Sequence, residues 1–478
     1  MQELLRAIEA DGVRQLALAG RFAEAQSRLP PQAKPRDRAR LYEAWARTLY
    51  EAGDLAGTAA RLQSCLDSGA LSEDKEFRLR VLLVHLQRRQ GRVDEALVKQ
   101  RELEERLAST RDLYLRNQML NEREITEGKT ELKSFPNRLT VRLTNQCNIR
   151  CSMCVMPDDK AWSVSPKTMA EVEALTPYLS DLQWKGGEPF IIDRRYLGGL
   201  IERGAQNPHL SQNIITNGLL LDRAWAELLV RCRVHTRISI DGADQEVFEK
   251  IRCGGRWENL LAGISFFNEE RVRQNQPYVR LELHMLVMRS NCHQVAKMVD
   301  FAHEHHFDIL DLSHIVIGAN PVSEDIFERG TRETWTELQR QRALAAEKAA
   351  RYGLRFGDNL PFPPPDMVAA SQSEPRPAPA AAPAPADGPL PPFHCLSPWK
   401  LLIIREGGGL VPNWHCIMDG RHMDVGHCER QSLLAGWNSP AMQNFRKRIL
   451  ARSQRGLCTP FCLSGALVDH WRDHIEWI

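Results

Sequence analysis

The sequence lacks a long hydrophobic run, a strong excess of charge and an apolar leader. No stretch of about 18 apolar residues occurs in the chain, so we expect no membrane-spanning helix. The 63 basic and 61 acidic side chains give a net charge of +2, which argues against nucleic acid or an anionic membrane as a partner. The N-terminus, MQELLRAIEADG, has no apolar core of a secretory signal, and we expect a cytoplasmic protein.

Cysteine, in contrast, is abundant. The chain has 12 cysteines, and clustered thiols in a reducing compartment indicate metal binding before disulfides. One group comprises Cys147, Cys151 and Cys154, and a second comprises Cys395, Cys416, Cys428, Cys458 and Cys462. The isolated cysteines are predicted to be small buried residues, and they are Cys65, Cys232, Cys253 and Cys292.

Residues 1–130 are rich in Ala, Leu, Glu and Arg, which predicts an all-helical domain. Similar segments begin at Gly20, Gly53 and Gly91, and they resemble degenerate tetratricopeptide repeats. Stacked helix pairs of that kind would offer a groove to a peptide or protein. A plain helical bundle remains the alternative.

Residues 131–360 alternate between short β-rich runs and amphipathic helical stretches, which predicts a parallel sheet. We therefore predict an α/β fold, a partial (β/α)6 barrel, between the helical domain and a small cysteine-rich α+β module. The predicted strands are Arg138–Leu143, Asp181–Trp184, Gln212–Thr216, Thr236–Ile240, Val279–Val287 and Ile309–Val316.

Residues 361–393 are dominated by proline and alanine, which predicts a disordered, extended linker without a core. It separates the barrel from residues 394–478, which hold five of the twelve cysteines. We predict a separate iron–sulfur module there.

The first cysteine group follows the first predicted strand in the pattern Cys147-x3-Cys151-x2-Cys154. Thiolates are the ligands of iron–sulfur clusters, and three of them leave one iron of a four-iron cube open for chemistry. A zinc loop could use the same spacing, although zinc usually needs a fourth ligand nearby.

With this spacing the sequence resembles the radical S-adenosylmethionine family, over roughly residues 136–320. Gly186-Gly187-Glu188-Pro189 follows the second predicted strand, and the resemblance implies that Gly186, Gly187 and Glu188 hold the amino group of S-adenosylmethionine. It also implies that Ser239 and Asp241 lie near the ribose or the substrate, although Asp241 could instead cap the next helix.

Two further positions carry weaker expectations. Arg252 is expected to be a solvated arginine at a helix end, with a cofactor contact as the alternative. Asn291 is expected to cap the helix after the fifth strand.

The second cysteine group begins with Cys395-Leu-Ser-Pro-Trp399 and ends with Cys458-Thr-Pro-Phe-Cys462. It resembles the auxiliary-cluster module called SPASM. The resemblance implies a second 4Fe–4S cluster on Cys395, Cys416, Cys458 and Cys462, with Cys428 as a spare or substitute ligand. A structural zinc site remains the alternative, because His415, His422 and His427 lie among these cysteines.

The resemblance implies a catalytic 4Fe–4S cluster, S-adenosylmethionine, and reductive cleavage to a 5′-deoxyadenosyl radical that abstracts hydrogen from substrate. We expect a ribosomal peptide or protein side chain as substrate, reached through the helical domain, and a reductant such as flavodoxin or ferredoxin. The alternatives are radical oxidation of a small alcohol, sugar or nucleotide, or an interaction protein with a non-catalytic cluster. The sequence names no acid or base.

Overall fold

The computed structural model describes residues 35–51, 54–69, 71–154, 160–315, 324–360, 395–414, 416–418 and 421–451, together with Glu24 and Ser27. The predicted linker 361–393 lies outside the described residues, as do Gly20, Gly53, Cys458 and Cys462. Within the described ranges, none of the helices has the length and hydropathy that crossing a bilayer requires.

The first described elements are five helices, each packed against the next. They are α1 Pro35–Glu51, α2 Leu55–Asp67, α3 Glu73–Arg89, α4 Val93–Arg106 and α5 Leu113–Thr126. Gly91, a glycine of the sequence repeat, forms the α3–α4 turn with φ of 78°, a conformation that a β-carbon disfavours. The starts of α2, α3 and α5 are capped by Asp54, Ser72 and Asp112, respectively. Each of these side chains accepts a hydrogen bond from a backbone amide in the first turn of its helix.

The remaining helices alternate with the strands or follow them along the chain. They are α6 Pro166–Leu175, α7 Arg194–Gly204, α8 Arg223–Arg231, α9 Gln245–Ile251, α10 Trp257–Arg273, α11 Val295–Glu304, α12 Ile326–Arg329, α13 Arg332–Tyr352, α14 Ser397–Lys400, α15 Leu433–Trp437 and α16 Pro440–Leu450. Short 3-10 turns occur at Thr176–Tyr178, Pro189–Ile191, Cys292–Gln294 and Glu406–Gly408.

The strands, in chain order, are β1 Arg138–Arg142, β2 Arg150–Cys151, β3 Asp181–Lys185, β4 Ser211–Thr216, β5 His235–Ser239, β6 Arg252–Cys253, β7 Leu281–Val287, β8 Ile309–His314, β9 Arg355–Asp358, β10 Leu401–Ile404, β11 Gly409–Val411, β12 Ile417–Met418, β13 Arg421–His422 and β14 Gly426–His427. The main sheet has the order β14-β11-β10-β1-β3-β4-β5-β7-β8-β9. Neighbours from β10 to β9 are parallel.

The six strands β1, β3, β4, β5, β7 and β8 follow one another in chain order, which confirms the predicted partial (β/α)6 barrel. Their side chains alternate, as strand geometry requires. Leu139, Val141, Leu182 and Trp184 are buried, whereas the residues between them on β3 are only partly buried. The face with the buried residues forms the core, and the other face lines the barrel interior.

Four strands of the main sheet were not predicted, namely β9, β10, β11 and β14, and they extend the sheet at both ends. β9 pairs with β8, and β10, from the C-terminal module, pairs with β1 over Arg138–Val141. Residues 394–478 were predicted to form a separate module, but β10 makes part of that module continuous with the barrel sheet.

The C-terminal residues also dock on the segment that joins the helical domain to the barrel. The indole of Trp399 donates to the carbonyl of Lys129 at 2.8 Å, and that of Trp437 to Ser134 at 2.9 Å. Arg446 is fully buried and donates to the carbonyls of Pro398, Thr130 and Trp437. Trp399 of the Cys395-Leu-Ser-Pro-Trp399 segment and Trp437 therefore have a packing role.

Candidate active site

A cavity of about 280 Å³ lies at the carboxyl ends of the barrel strands. Cys147, Cys151 and Cys154 all line it, together with Gly186 and Gly187. The ends of three further strands contribute Thr216, Ser239 and Leu286. The carboxyl ends of parallel strands are where such sheets place ligands, so the cavity joins the predicted cluster loop to the predicted cofactor motifs.

The cysteine loop is held by a short antiparallel ladder. Arg150 and Cys151 of β2 pair with Cys253 and Arg252 of β6, and the Ser152 amide donates to the Ile251 carbonyl at 2.9 Å. This ladder fixes the middle cysteine of the loop against the residues that follow α9.

Gly186 and Gly187 pack directly on the chain just before Cys147. The Gly187 amide donates to the Thr144 carbonyl at 2.7 Å, and the Glu188 amide donates to the Gln146 carbonyl at 2.9 Å. A β-carbon on Gly187 would lie 2.0 Å from the Gln146 carbonyl oxygen, and one on Gly186 would lie 2.7 Å from that of Thr144. The cavity wall and the cysteine loop can therefore lie this close to each other only because both residues lack a β-carbon.

Glu188 lies behind this wall and is fully buried. Its carboxylate accepts from the Thr216 hydroxyl at 2.7 Å, the Asn217 amide at 2.8 Å and the Phe190 amide at 3.1 Å. Burial raises the pKa of Glu188 although these hydrogen bonds oppose the shift. The described contacts make it a support for the Thr216–Gly218 turn.

Asn217, next in that turn, reaches the cysteine loop. Its side-chain amide donates to Asn148 Oδ1 at 2.8 Å and lies 3.7 Å from Cys147 Sγ. The chain Glu188–Asn217–Cys147 thus connects the Gly-Gly-Glu motif to the first cysteine.

Arg252 was predicted to be a solvated arginine, and that prediction is wrong. It is 8% exposed, its Nη2 lies 2.6 Å from Asp241 Oδ2, and its Nη1 lies 3.8 Å from Cys151 Sγ. Burial would lower the pKa of Arg252, but Asp241 and Cys151 raise it above its usual value. Arg252 directly follows the end of α9 and begins β6, and its side chain turns inward, which no local sequence signal indicates.

Asp241 is fully buried and supports the site through its partners. One oxygen accepts from the Leu286 amide at 2.8 Å, and the other faces Arg252. Asn291 does not cap the following turn, because its side-chain amide donates to the carbonyls of Asp241 and Leu286. Ser239, in contrast, lines the cavity directly.

The three cysteines fit an iron–sulfur cluster better than a single metal ion. Among the described residues, no group of three or more His, Cys, Asp or Glu side chains is arranged to hold one ion. A cube takes each thiolate on a different iron, so its ligands need only face one cavity, as these three do. Burial raises the pKa of Cys147, and it raises that of Cys151 to about 11, so a cluster held by these thiols would displace their protons.

The second cysteine group is only partly described. Cys416 and Cys428 are buried and Cys395 is partly buried. The Asn413 amide donates to Ser397 Oγ at 3.0 Å, which holds the Cys416 loop against the turn that follows Cys395. Gly408, with φ of 87°, lies against the Cys428 thiol, so this cysteine packs under the Glu406–Gly408 turn that joins β10 to β11. Burial raises the pKa of Cys428 to about 11.

Residues 141–326 match the family model of the Radical SAM superfamily. This range contains the cysteine loop, the Gly-Gly-Glu-Pro segment and every strand end around the cavity. Over this range the chain is therefore similar to the Radical SAM superfamily, whose enzymes use a 4Fe–4S cluster and S-adenosylmethionine.

The curated relatives cover only part of the chain. The GTP 3′,8-cyclase of Streptomyces coelicolor is 28% identical over 140 residues, which is 27% of this chain and 40% of the relative. That of Peptoclostridium acidaminophilum is 31% identical over 137 residues, 27% of this chain and 41% of the relative. The chain thus spans about two fifths of the length of these two relatives.

Similarity to a solved structure extends further along the chain. The crystal structure of Streptococcus suis SuiB bound to S-adenosylmethionine superimposes with a TM-score of 0.50 at 16% identity. The match covers 79% of this chain and 84% of SuiB, so the shared fold extends beyond the barrel.

Replacing Gly187 with alanine should lower the rate of S-adenosylmethionine cleavage by about 100-fold, because the new β-carbon displaces the loop that carries Cys147. The measurement is 5′-deoxyadenosine formation by the reconstituted protein. Gly199→Ala on α7 is the control, since its β-carbon meets only the mobile end of Arg203. We expect that control to keep full activity; a fully active G187A would contradict the close packing.

Proposed function

We propose that this chain is an enzyme that reductively cleaves S-adenosylmethionine and uses the resulting 5′-deoxyadenosyl radical to abstract hydrogen from a substrate. The observation that carries the proposal is the single cavity lined by Cys147, Cys151, Cys154 and the Gly186-Gly187 wall. Neither a zinc loop nor a disulfide would require the close packing of Gly186 and Gly187 beside the cysteines.

In this proposal each part of the site has a separate task. The three cysteines hold the 4Fe–4S cluster, which supplies the electron that cleaves the bound cofactor. Gly186 and Gly187 present backbone to S-adenosylmethionine, and Ser239 faces it from β5. Glu188, Asp241 and Arg252 are positioning residues, because their described contacts hold the Thr216–Gly218 turn and the β2–β6 ladder.

We also propose an auxiliary 4Fe–4S cluster in the C-terminal module. Cys395 and Cys416 are ligands, with Cys458 and Cys462 completing the set and Cys428 as a substitute. The support is the Asn413–Ser397 contact, which brings the first two cysteine segments together. The iron content of the reconstituted protein tests this, since two clusters bind about eight irons.

For the substrate, we propose a peptide or a protein side chain bound with the help of the helical domain. Helices α1 to α5 form a layered stack next to the barrel, the arrangement that helical-repeat proteins use for extended ligands. A nucleotide is the second candidate, because relatives of the barrel are named GTP 3′,8-cyclase. Flavodoxin or ferredoxin is the proposed reductant.

The test is anaerobic reconstitution, followed by dithionite, S-adenosylmethionine and assay of 5′-deoxyadenosine. Formation of 5′-deoxyadenosine supports the enzyme, and deuterium transfer into it from a labelled candidate peptide or nucleotide identifies the substrate class. Fully loaded protein that forms no 5′-deoxyadenosine with any candidate would overturn the proposal and favour an interaction protein with a non-catalytic cluster.

A further inference from the structure

The interior face of the barrel carries three cations in one layer. Arg142 on β1 is in register with Lys185 on β3, and Ile215 on β4 is in register with Arg237 on β5. Trp184 on β3 pairs with Ile214 on β4, so the next residues along these two strands, Lys185 and Ile215, are also neighbours. Neighbouring strands are about 4.8 Å apart, so these long side chains converge across the concave face.

This layer adjoins the candidate active site. Ile215 lines the cavity with the cysteines, as does Ser239, which lies two residues after Arg237 on the same face of β5. Successive residues of a strand alternate between faces, so Arg237 and Lys185 face the space that continues from the cavity into the barrel.

Two of the three cations have carboxylate partners. Arg142 Nη1 lies 2.7 Å from Glu406 Oε2, and Arg237 forms an ion pair with Glu282 and lies 3.8 Å from Asp311. Both acids near Arg237 lie on strands beyond it, away from Lys185.

Lys185 is the exception. Within the described part of the chain no carboxylate pairs with it, and its Nζ lies 3.8 Å from the ring centroid of Trp414 in the C-terminal module. Burial lowers the pKa of Lys185 well below its usual value, and Arg142 and Arg237 lower it further, although the Glu406 carboxylate opposes the shift. A partly buried ammonium next to two cations is costly unless an anion balances it.

We propose that Lys185, assisted by Arg142 and Arg237, binds an anionic group of the substrate, a carboxylate or a phosphate, in the barrel interior beneath the cysteine-lined cavity. Trp414 covers this site from the C-terminal module and contacts both Lys185 and Arg142 through its ring. Assignment of the anion to the substrate rests on the proposed function.

The test is calorimetric titration of the anaerobically reconstituted full chain with inorganic pyrophosphate and, separately, with succinate, at fixed ionic strength. We expect at least one of them to bind saturably at one site. Lys185→Met should weaken that binding by about 10- to 100-fold, because a charge-assisted hydrogen bond is lost. Lys185→Arg should retain most of it, and Lys167→Met, on an exposed position of α6, should leave it unchanged.

The outcomes separate the sources of the anion. Preference for pyrophosphate supports a phosphate-bearing substrate, and preference for succinate supports a carboxylate such as an acidic peptide side chain. If saturating S-adenosylmethionine abolishes the binding, the site serves the cofactor carboxylate and the proposal is overturned. No saturable binding, or binding that K185M does not weaken, also overturns it. None of these binding results depends on 5′-deoxyadenosine formation. Failure of anion binding can therefore be distinguished from failure of the proposed function.

Thermal unfolding adds a readout that a purely structural lysine would not give. Because K185M removes a cation that pairs with no carboxylate of the described residues, its melting temperature should equal or exceed that of the wild type. A lower melting temperature would mean that the Trp414 contact is structural and would count against the proposal.

Discussion

Cys151→Ala should abolish 5′-deoxyadenosine formation and remove about four irons from each reconstituted chain. Cys151 is the middle ligand of the proposed cluster, lines the cavity and is fixed by the β2–β6 ladder. Two thiolates cannot retain a cube that needs three protein corners. The measurements are iron and sulfide content and chromatographic detection of 5′-deoxyadenosine after reduction with dithionite.

Cys253 supplies a matched control from the same ladder. It is an exposed cysteine paired with Arg150, although the sequence predicted it to be buried. Cys253→Ala should retain both the iron and the cleavage activity. Full iron and full cleavage in C151A would contradict the assignment, as would equal losses in the two variants.

Glu122→Gln should lower the free energy of unfolding by about 3–5 kcal/mol, because it leaves buried cations without their counter-charge. Glu122 on α5 is fully buried, and Arg88 Nη2 lies 2.7 Å from its Oε2. Lys400, from the C-terminal module, forms an ion pair with its other oxygen. Burial would raise the pKa of Glu122, but His85, Lys400 and Arg88 hold it well below its usual value.

His85 completes the cluster as a neutral ring, because burial holds its pKa well below the usual value. Its Nε2 lies 3.1 Å from Glu122 Oε1, and with the proton assigned to Nε2 its Nδ1 accepts from Arg88 over 2.6 Å. The cluster therefore joins α3, α5 and the residue before β10. Its loss should loosen the helical domain and the C-terminal module together.

Urea unfolding followed by circular dichroism measures this effect, and Glu127→Gln is the control. Glu127 follows α5 and pairs with Lys129 at 3.6 Å on the surface, so its replacement should change stability by less than about 0.5 kcal/mol. A loss below about 1 kcal/mol in E122Q would show that the cluster contributes little.

The barrel strands were predictable because each depends on a short local pattern. All six predicted strands are present, with ends that differ by one or two residues, as for Asp181–Lys185 and Ile309–His314. The cavity was predictable for the same reason, since each motif follows a strand and the ends of parallel strands meet at one edge. The pairing of β10 with β1 was not, because more than 250 residues separate Leu401 from Arg138.

By itself, the sequence determined which residues carry the chemistry and in what order the strands present them, since cysteine spacing and hydrophobic alternation are local properties. Only the tertiary structure decided where the charged side chains near these motifs point and which partners they have. It turned Glu188 inward onto Thr216, paired Arg252 with Asp241, and joined Lys400 to Glu122 across 278 positions. Burial and partner choice are set by contacts between distant segments, and no local pattern records them.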